Sequence, residues 1–467
     1  MDVPFNEKMS QLIGGLWMHN RIVANVATFC DRYGNRFAGT ASELRGRDYL
    51  LEHFRSLGLD NVHLEPCTYT GWKRGACQLD ITQPLQRTLE AVSMVHSPST
   101  PGTGLEAELV WLGQGTKADF ERRRDEIPGK IALIGLGSPL GTFIHRVSKY
   151  GWAREFGAVG VIFAKEEPGQ LLATGTVAAA YRHIGTLPAA GVTYETGQFL
   201  RRQLAQGSVR VRLLLENAFV PDATTWNIVG DIPGKDGASE QIIVGAHWDG
   251  HDRADAALDN ALGLFTVLEA AGALSRLRGQ LGRSIRVVAF GNEESWAVGS
   301  TNYVAQHAAD LDQAALMINC DALARFGRTS IRVTKRQEIF DYFEQTIAAN
   351  GLPVPISMSG WLPGSSDEWP FLVAGVPTIS ARGTQSPEER SRGRGIDHTQ
   401  ADTVDKADDI RAREASMILA QLLVAVAENP NRPGPKIARA DIFQRLRADG
   451  AEEELRVQGR WHPESIL

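Results

Sequence analysis

The second half of the chain alternates between two patterns of apolar residues. Short apolar runs of strand length occur at 241–247, 284–291, 315–321 and 376–380. Between and after them, apolar positions recur at helical spacing over 260–277, 338–350 and 406–428. In the first of these, Leu264, Val267, Leu268, Ala271 and Leu274 define one face. Strand-then-helix alternation of this kind predicts an α/β domain of three αβα layers around a mostly parallel, mixed sheet. Upstream, residues from about Leu12 to Leu57 read as helical, interrupted by the turn-rich loop Gly34–Thr40. Strand-like patches run from Asn61 to about Val95, and 97–104 reads as a linker.

From 105 to 217 the pattern changes to short strands, at 130–136, 157–164, 188–192 and 209–215, mixed with helical sequence. The long strand and helix units resume at Trp226, so this stretch reads as a smaller β-rich domain inserted into a larger one. The expected division is therefore 1–104 and 218–430 for the larger domain, 105–217 for the insertion, and 431–467 for a tail after a Pro-rich break. The tail is polar, with one short helix expected at Asp441 to Glu454, on the surface or across a subunit contact.

Composition narrows the functions available. The chain of 467 residues has 49 Lys plus Arg against 55 Asp plus Glu, a formal charge of −6. That balance lacks the global positive footprint of a nucleic-acid or anionic-membrane binder. The basic clusters Arg122–Arg124 and 390–394 read as surface charge. Four cysteines without CxxC or zinc-finger spacing read as reduced thiols. With neither a signal-peptide pattern nor an apolar run of bilayer length, a cytoplasmic location is the expectation.

Candidate chemistry clusters after the apolar strands. Gln241–Ala246 leads into His247-Trp248-Asp249, with Asp259-Asn260 downstream. The run 284–290 leads into Asn292-Glu293-Glu294, and 315–320 into Asp321. Val376–Ser380 is followed, after a polar loop, by Asp397-His398-Thr399. Parallel strands bring such ends to one edge of a sheet, where α/β folds place ligands. His247, Asp259, Glu293, Glu294, Asp321 and His398 could thus converge. Two imidazoles and several carboxylates without thiolate suit a pair of divalent cations, zinc above all. One of the adjacent glutamates can ligate while the other shuttles a proton.

These segments, together with Gly299-Ser300 and the run His398-Thr399-Gln400-Ala401-Asp402-Thr403, resemble the metal-site motifs of the co-catalytic zinc aminopeptidases. Within these, the chain is most similar to the carboxypeptidase Q-like metallopeptidases, including the twelve-residue step from His247 to Asp259. Arg36-Phe37-Ala38-Gly39-Thr40 resembles the family's start, and the insertion resembles a protease-associated domain. The resemblance covers most of the chain, leaving out the tail after about Pro430. It implies two Zn2+ per chain bridged by Asp259, with His247 and Asp321 completing one site and Glu294 and His398 the other. Glu293 would be the general base, and Asp249 would orient His247 through its second ring nitrogen. The implied activity is exopeptidase cleavage of short peptides, as an aminopeptidase or dipeptidase, with no nucleic-acid or membrane partner. A homodimer is expected only by analogy with the relatives.

Two departures from the family pattern bear on the substrate pocket: His251 and Asp252 crowd the loop after His247, and Leu262 stands where relatives often carry a small residue. His251 itself is set aside as a ligand in favour of His247. Gly135-Leu136-Gly137-Ser138-Pro139-Leu140-Gly141 reads as a tight turn, not a dinucleotide loop. There is no GxSxG elbow for a serine hydrolase, and Cys320 reads as packing. Trp361–Asp367 is a candidate pocket wall, and 390–395 a candidate contact for a substrate carboxylate. The rival functions are a two-metal amidohydrolase on a non-peptide amide and a non-catalytic binding protein. The retained ligand set argues against the latter. Glutaminyl cyclase, a one-zinc transferase relative, is disfavoured by the insertion and the intact His247 site.

Overall fold

The computed structural model of the chain describes residues 5–140, 142–178, 184–360, 366–388 and 395–465. Three helices, Phe5–His19, Ile22–Tyr33 and Ala41–Ser56, open it. Strands β1 (Asp60–Lys73), β2 (Cys77–Gln83), β3 (Arg87–Leu89), β4 (Val92–Ser93) and β5 (Leu105–Trp111) follow. Next come β6 (Ile131–Gly135), β7 (Gly160–Ala164), β8 (Ala189–Val192), β9 (Arg210–Leu215) and β10 (Ala218–Ile232). The last six are β11 (Gln241–His247), β12 (Ser284–Phe290), β13 (Ala314–Asn319), β14 (Thr329–Thr334), β15 (Ile356–Ser359) and β16 (Thr378–Gly383).

The strands form two eight-stranded sheets. In the larger, ordered β1-β10-β12-β11-β13-β16-β14-β15, the four central strands β12, β11, β13 and β16 are parallel. Antiparallel pairs at β10/β12 and β16/β14 make the sheet mixed. Alternate residues of the central strands feed two cores. Ile242, Val244 and Ala246 join Ile285, Val287 and Ala289 beneath the helices Ile22–Tyr33, Leu262–Leu274 and Asp409–Glu428. Ile243, Val288 and Phe290 face the other way, against Tyr303, Val304 and Phe371. Two buried faces explain why these strands read as unbroken apolar runs. The stretch Ala257–Leu277 is long and apolar enough to cross a membrane, yet it packs inside the first of these cores.

The second sheet, β3-β2-β9-β5-β6-β7-β8-β4, hangs on a long antiparallel ribbon. β1 and β10 pair from Asp60↔Asp231 to Lys73↔Ala218, and everything between Cys77 and Leu215 lies beyond their far end. The second sheet also takes in β2 to β4, which lie upstream of residue 105, because Cys77 pairs with Leu215 across β2 and β9. The presumed linker is tied in as well: Thr100 N–H donates to the Leu215 carbonyl. All four cysteines are free thiols.

The tail departs most from its sequence reading. It forms two helices, Arg439–Ala448 and Glu452–Val457, whose apolar residues are buried. Ile442, Phe443, Leu446, Leu455 and Trp461 pack on Trp369, Leu372 and Val373 of the main domain. Val457 enters the core of the insertion beside Tyr150 and Trp152. These apolar positions are few and scattered through a polar stretch, so average polarity conceals the contact. Leu446, fully buried, should cost about 2–5 kcal/mol when changed to Ala. A Leu446→Ala variant with an unchanged denaturant midpoint would contradict this packing.

Candidate metal centre

Each central parallel strand ends in a loop that delivers donors to one edge of the sheet. β11 ends at His247; β12 leads to Glu293 and Glu294; β13 leads to Asp321; the chain after β16 returns to His398. Asp259 enters from the start of the helix that follows β11. Each of these loops contains left-handed backbone, at Ala256, at Asn292, Trp296 and Ala297, at Ala322 and Ala324, and at His398. Such conformations cost about 1–3 kcal/mol each and persist only where surroundings impose them.

Two clusters result. His247 Nε2 lies 3.3 Å from Asp259 Oδ1 and 3.9 Å from Asp321 Oδ1. His398 Nε2 lies 3.3 Å from Asp259 Oδ2 and 3.2 Å from Glu294 Oε2. Each oxygen of Asp259 therefore faces a different imidazole. Donors at zinc-ligand distance from one ion, with a tetrahedral angle between them, lie about 3.3 Å apart. His247 Nε2, fully buried, makes no aligned hydrogen bond despite its neighbours. The donor set fits two divalent cations, one in each cluster, with Asp259 between them.

The second cluster contains a residue that sequence reasoning set aside. His251 Nε2 lies 2.8 Å from Glu294 Oε2, and its ring meets that of His398 edge-on at 4.1 Å between centroids. The twofold spacing from Asp249 to His251 was no guide, since the turn at Gly250 aims the ring back into the site. A Cβ at Gly250 would lie 2.0 Å from that of Ala256, so only glycine permits the turn.

Electrostatics follow from burial and crowding. Burial alone would lower His247, but Asp249, Asp259 and Glu293 outweigh it and leave the imidazole raised well above its usual range. Burial would raise Asp259, yet His247, His398 and Arg325 hold it well below the carboxylate range. Glu293 is pushed well above that range by burial and, despite His247, by Glu294, Asp321 and Asp367. Burial, aided by Arg146, lowers His251 to about 3, so its ring is neutral.

Backbone-directed hydrogen bonds hold the loops. The Asp249 carboxylate accepts from Glu293 N–H at 2.9 Å and Glu294 N–H at 3.2 Å. His247 Nδ1 sits 3.2 Å from the Asp249 carbonyl oxygen and 3.5 Å from its carboxylate. Asp249 thus ties β11 to the glutamate loop as much as it orients the histidine. Arg36, from the N-terminal loop, donates to the carbonyls of Trp248, Asp255 and Ala256 at 2.9–3.0 Å. Asp402 accepts from Leu258 N–H at 2.7 Å and Asp259 N–H at 3.1 Å. Asn260 bridges the Cys320 carbonyl and Ala322 N–H. Arg36 and Asp402 lie inside motifs visible in the sequence, but only the fold shows what they hold.

The insertion contributes too. Thr174 N–H donates to the His398 carbonyl at 3.0 Å, and the Thr174 carbonyl lies 3.3 Å from His398 Nδ1. A cleft beside His398 is walled by Phe143, His145, Arg146 and Lys165 of the insertion. The Gly135 turn is fastened by Lys149, which donates to the carbonyls of Gly135 and Gly137. Of the two loop candidates, 361–365 and 390–394 lie outside the described residues. Asp367 is fully buried behind the site and accepts from Ser300 Oγ at 2.6 Å. Cys320 is buried packing. Because Asp402 fixes the Asp259 backbone, Asp402→Ala should weaken divalent-metal affinity about 10–100-fold, as read by calorimetric titration of the chelator-stripped protein. Unchanged affinity would show that Asp259 is held by other contacts.

Comparison with known proteins agrees with this geometry. Residues 227–423 match the model of peptidase family M28, and residues 105–200 match the PA domain. Carboxypeptidase Q from Xenopus laevis is 25% identical over 398 residues, covering 84% of this chain and 82% of that protein. The structure of a peptidase M28 precursor from Shewanella amazonensis superposes with a TM-score of 0.76 at 24% identity, covering 92% of this chain and 98% of that one. BSAP, a zinc aminopeptidase from Bacillus subtilis, does so with a TM-score of 0.65 at 22% identity, covering 94% and 99%. The edge-of-sheet site thus lies in the part of the chain, residues 227–423, that matches peptidase family M28, with the PA-domain match preceding it at residues 105–200.

Proposed function

We propose that this M28 metallo-exopeptidase binds two zinc ions and removes terminal residues from short peptides, with Glu293 as general base. The observation that carries the two-ion reading is the placement of Asp259, whose two carboxylate oxygens each stand 3.3 Å from a different imidazole. His247 and Asp321 would hold one cation with Asp259; Glu294 and His398 would hold the other. Bound divalent cations supply Lewis acidity toward a carbonyl oxygen and make water acidic enough to ionise near neutral pH.

The chain's own residues account for the proton transfers. Glu293 is only partly buried, as is Asp321. Its carboxylate is set to accept a proton from the attacking water and deliver it to the leaving amine. Burial and, against the opposing effect of His247, crowding by Glu294, Asp321 and Asp367 raise its affinity for that proton, which suits a group that must carry it between two steps. The Glu293 and Glu294 N–H bonds to Asp249 hold the backbone of shuttle and ligand in place. Arg146 and Lys165 of the insertion, beside His398, support a preference for small substrates, including dipeptides with a free carboxylate.

Glu293→Gln keeps the shape and loses the base. It should bind metal like the wild type while kcat falls about 10²–10⁴-fold. Chelation should abolish cleavage of a dipeptide and aminoacyl-amide panel, and added zinc should restore it. Two bound metals without peptide cleavage would redirect the assignment to a non-peptide amide. A chain that binds no metal would overturn it.

A further inference from the structure

The two clusters differ in a way that the five-ligand assignment leaves unexplained. The cluster of Glu294 and His398 holds a third donor, His251. His251 is 1% exposed, and neither ring nitrogen makes a hydrogen bond, although Nε2 lies 2.8 Å from Glu294 Oε2. A buried imidazole that approaches a carboxylate so closely without hydrogen-bond alignment is placed as a co-ligand would be. Donors about 90° apart on one zinc, as in five-coordinate geometry, lie about 2.9 Å from each other.

The surroundings keep this ring in place. Gly250 gives the loop its close passage past Ala256. Asp252, the next residue, is clamped by Arg74 through two bonds of 2.6 and 2.7 Å. Arg74 in turn donates to Thr174 Oγ1 at 3.0 Å, beside the backbone that positions His398. Both imidazoles of the cluster are therefore held by one network reaching into the insertion. Counting Asp259 in both, the His247 cluster has three donors, His247, Asp259 and Asp321, against four around His398, and Asp321 is 28% exposed.

We propose that His251 Nε2 is an additional protein ligand of the cation held by Glu294, His398 and Asp259. That ion then has two imidazoles and two carboxylates, all buried. The ion at His247 and Asp321 has fewer protein donors and keeps open positions on the solvent side. The first is the tightly held ion, and the second is the one that water and substrate reach. This inference rests on the two-cation reading above.

The test counts imidazole ligands directly. The full chain, labelled with 15N-histidine and stripped by chelation, is loaded with 113Cd and its histidine nitrogens are observed by NMR. Three Nε2 signals split by cadmium, one of them lost in His251→Gln, are the expected result. In a calorimetric cadmium titration that variant should weaken one binding step about 100-fold and leave the other within about threefold. Two cadmium ions bound with only two split Nε2 signals would overturn the inference and leave the two-cation reading intact. Fewer than two ions bound by the wild type would instead overturn that reading. Should His251→Gln fail to fold, the count of split signals in the wild type decides alone.

Discussion

The Asp249 carboxylate is the joint on which the site turns. By accepting from the N–H groups of both Glu293 and Glu294, it fixes the end of β11 to the end of β12. The main chain reinforces the joint, since Trp248 N–H donates to the Phe290 carbonyl and the indole donates to that of Trp226. Arg36 then clamps the loop onward from Trp248 through three carbonyls. A charged group bonded to several buried backbone groups is stronger and more directional than a surface ion pair. Once this joint is made, His247, Glu293 and Glu294 have little freedom.

Crowding carboxylates in a buried pocket carries an electrostatic cost that the fold leaves to be met by cations. Asp367 is raised to about 8 by burial and, although His247 opposes it, by Asp249 and Asp321 nearby. Glu293 is raised for similar reasons. Imidazoles between such groups are either protonated or coordinated. Left-handed residues in all four loops add conformational strain, held by the core beneath. A site of this kind is built at the expense of local stability and is sustained by the large apolar layers on both faces of the sheet.

The insertion and the tail complete the site from outside the sheet. Thr174 holds His398 from two directions, while Arg74 links Thr174 to Asp252. Farther out, Ser148 of the insertion donates to Glu454 of the tail. The Arg460 guanidinium stacks 3.9 Å above Trp369 and 5.0 Å from Trp296, next to the glutamate loop. Insertion, tail and catalytic domain thus brace one another around the metal centre. This is why a domain fed through a two-stranded ribbon can still define one wall of the cleft.

Much of this was determined by local sequence. Strand runs buried on both faces, helical periodicity between them and acidic or His residues after each strand are short-range features, legible because the period of each element is fixed by backbone geometry. They determined the α/β class, the parallel strands and the candidate donors His247, Asp259, Glu293, Glu294, Asp321 and His398. What tertiary structure decided is whatever depends on partners distant in sequence. The pairing of Cys77 with Leu215 drew β2 into the second sheet. A handful of apolar residues drew a polar tail into two cores. The approach of Gly250 to Ala256 turned His251, set aside as a ligand on sequence grounds, toward Glu294. Spacing along a chain specifies which face a side chain occupies, but its final neighbours are set by contacts between segments, which the period of one element does not encode.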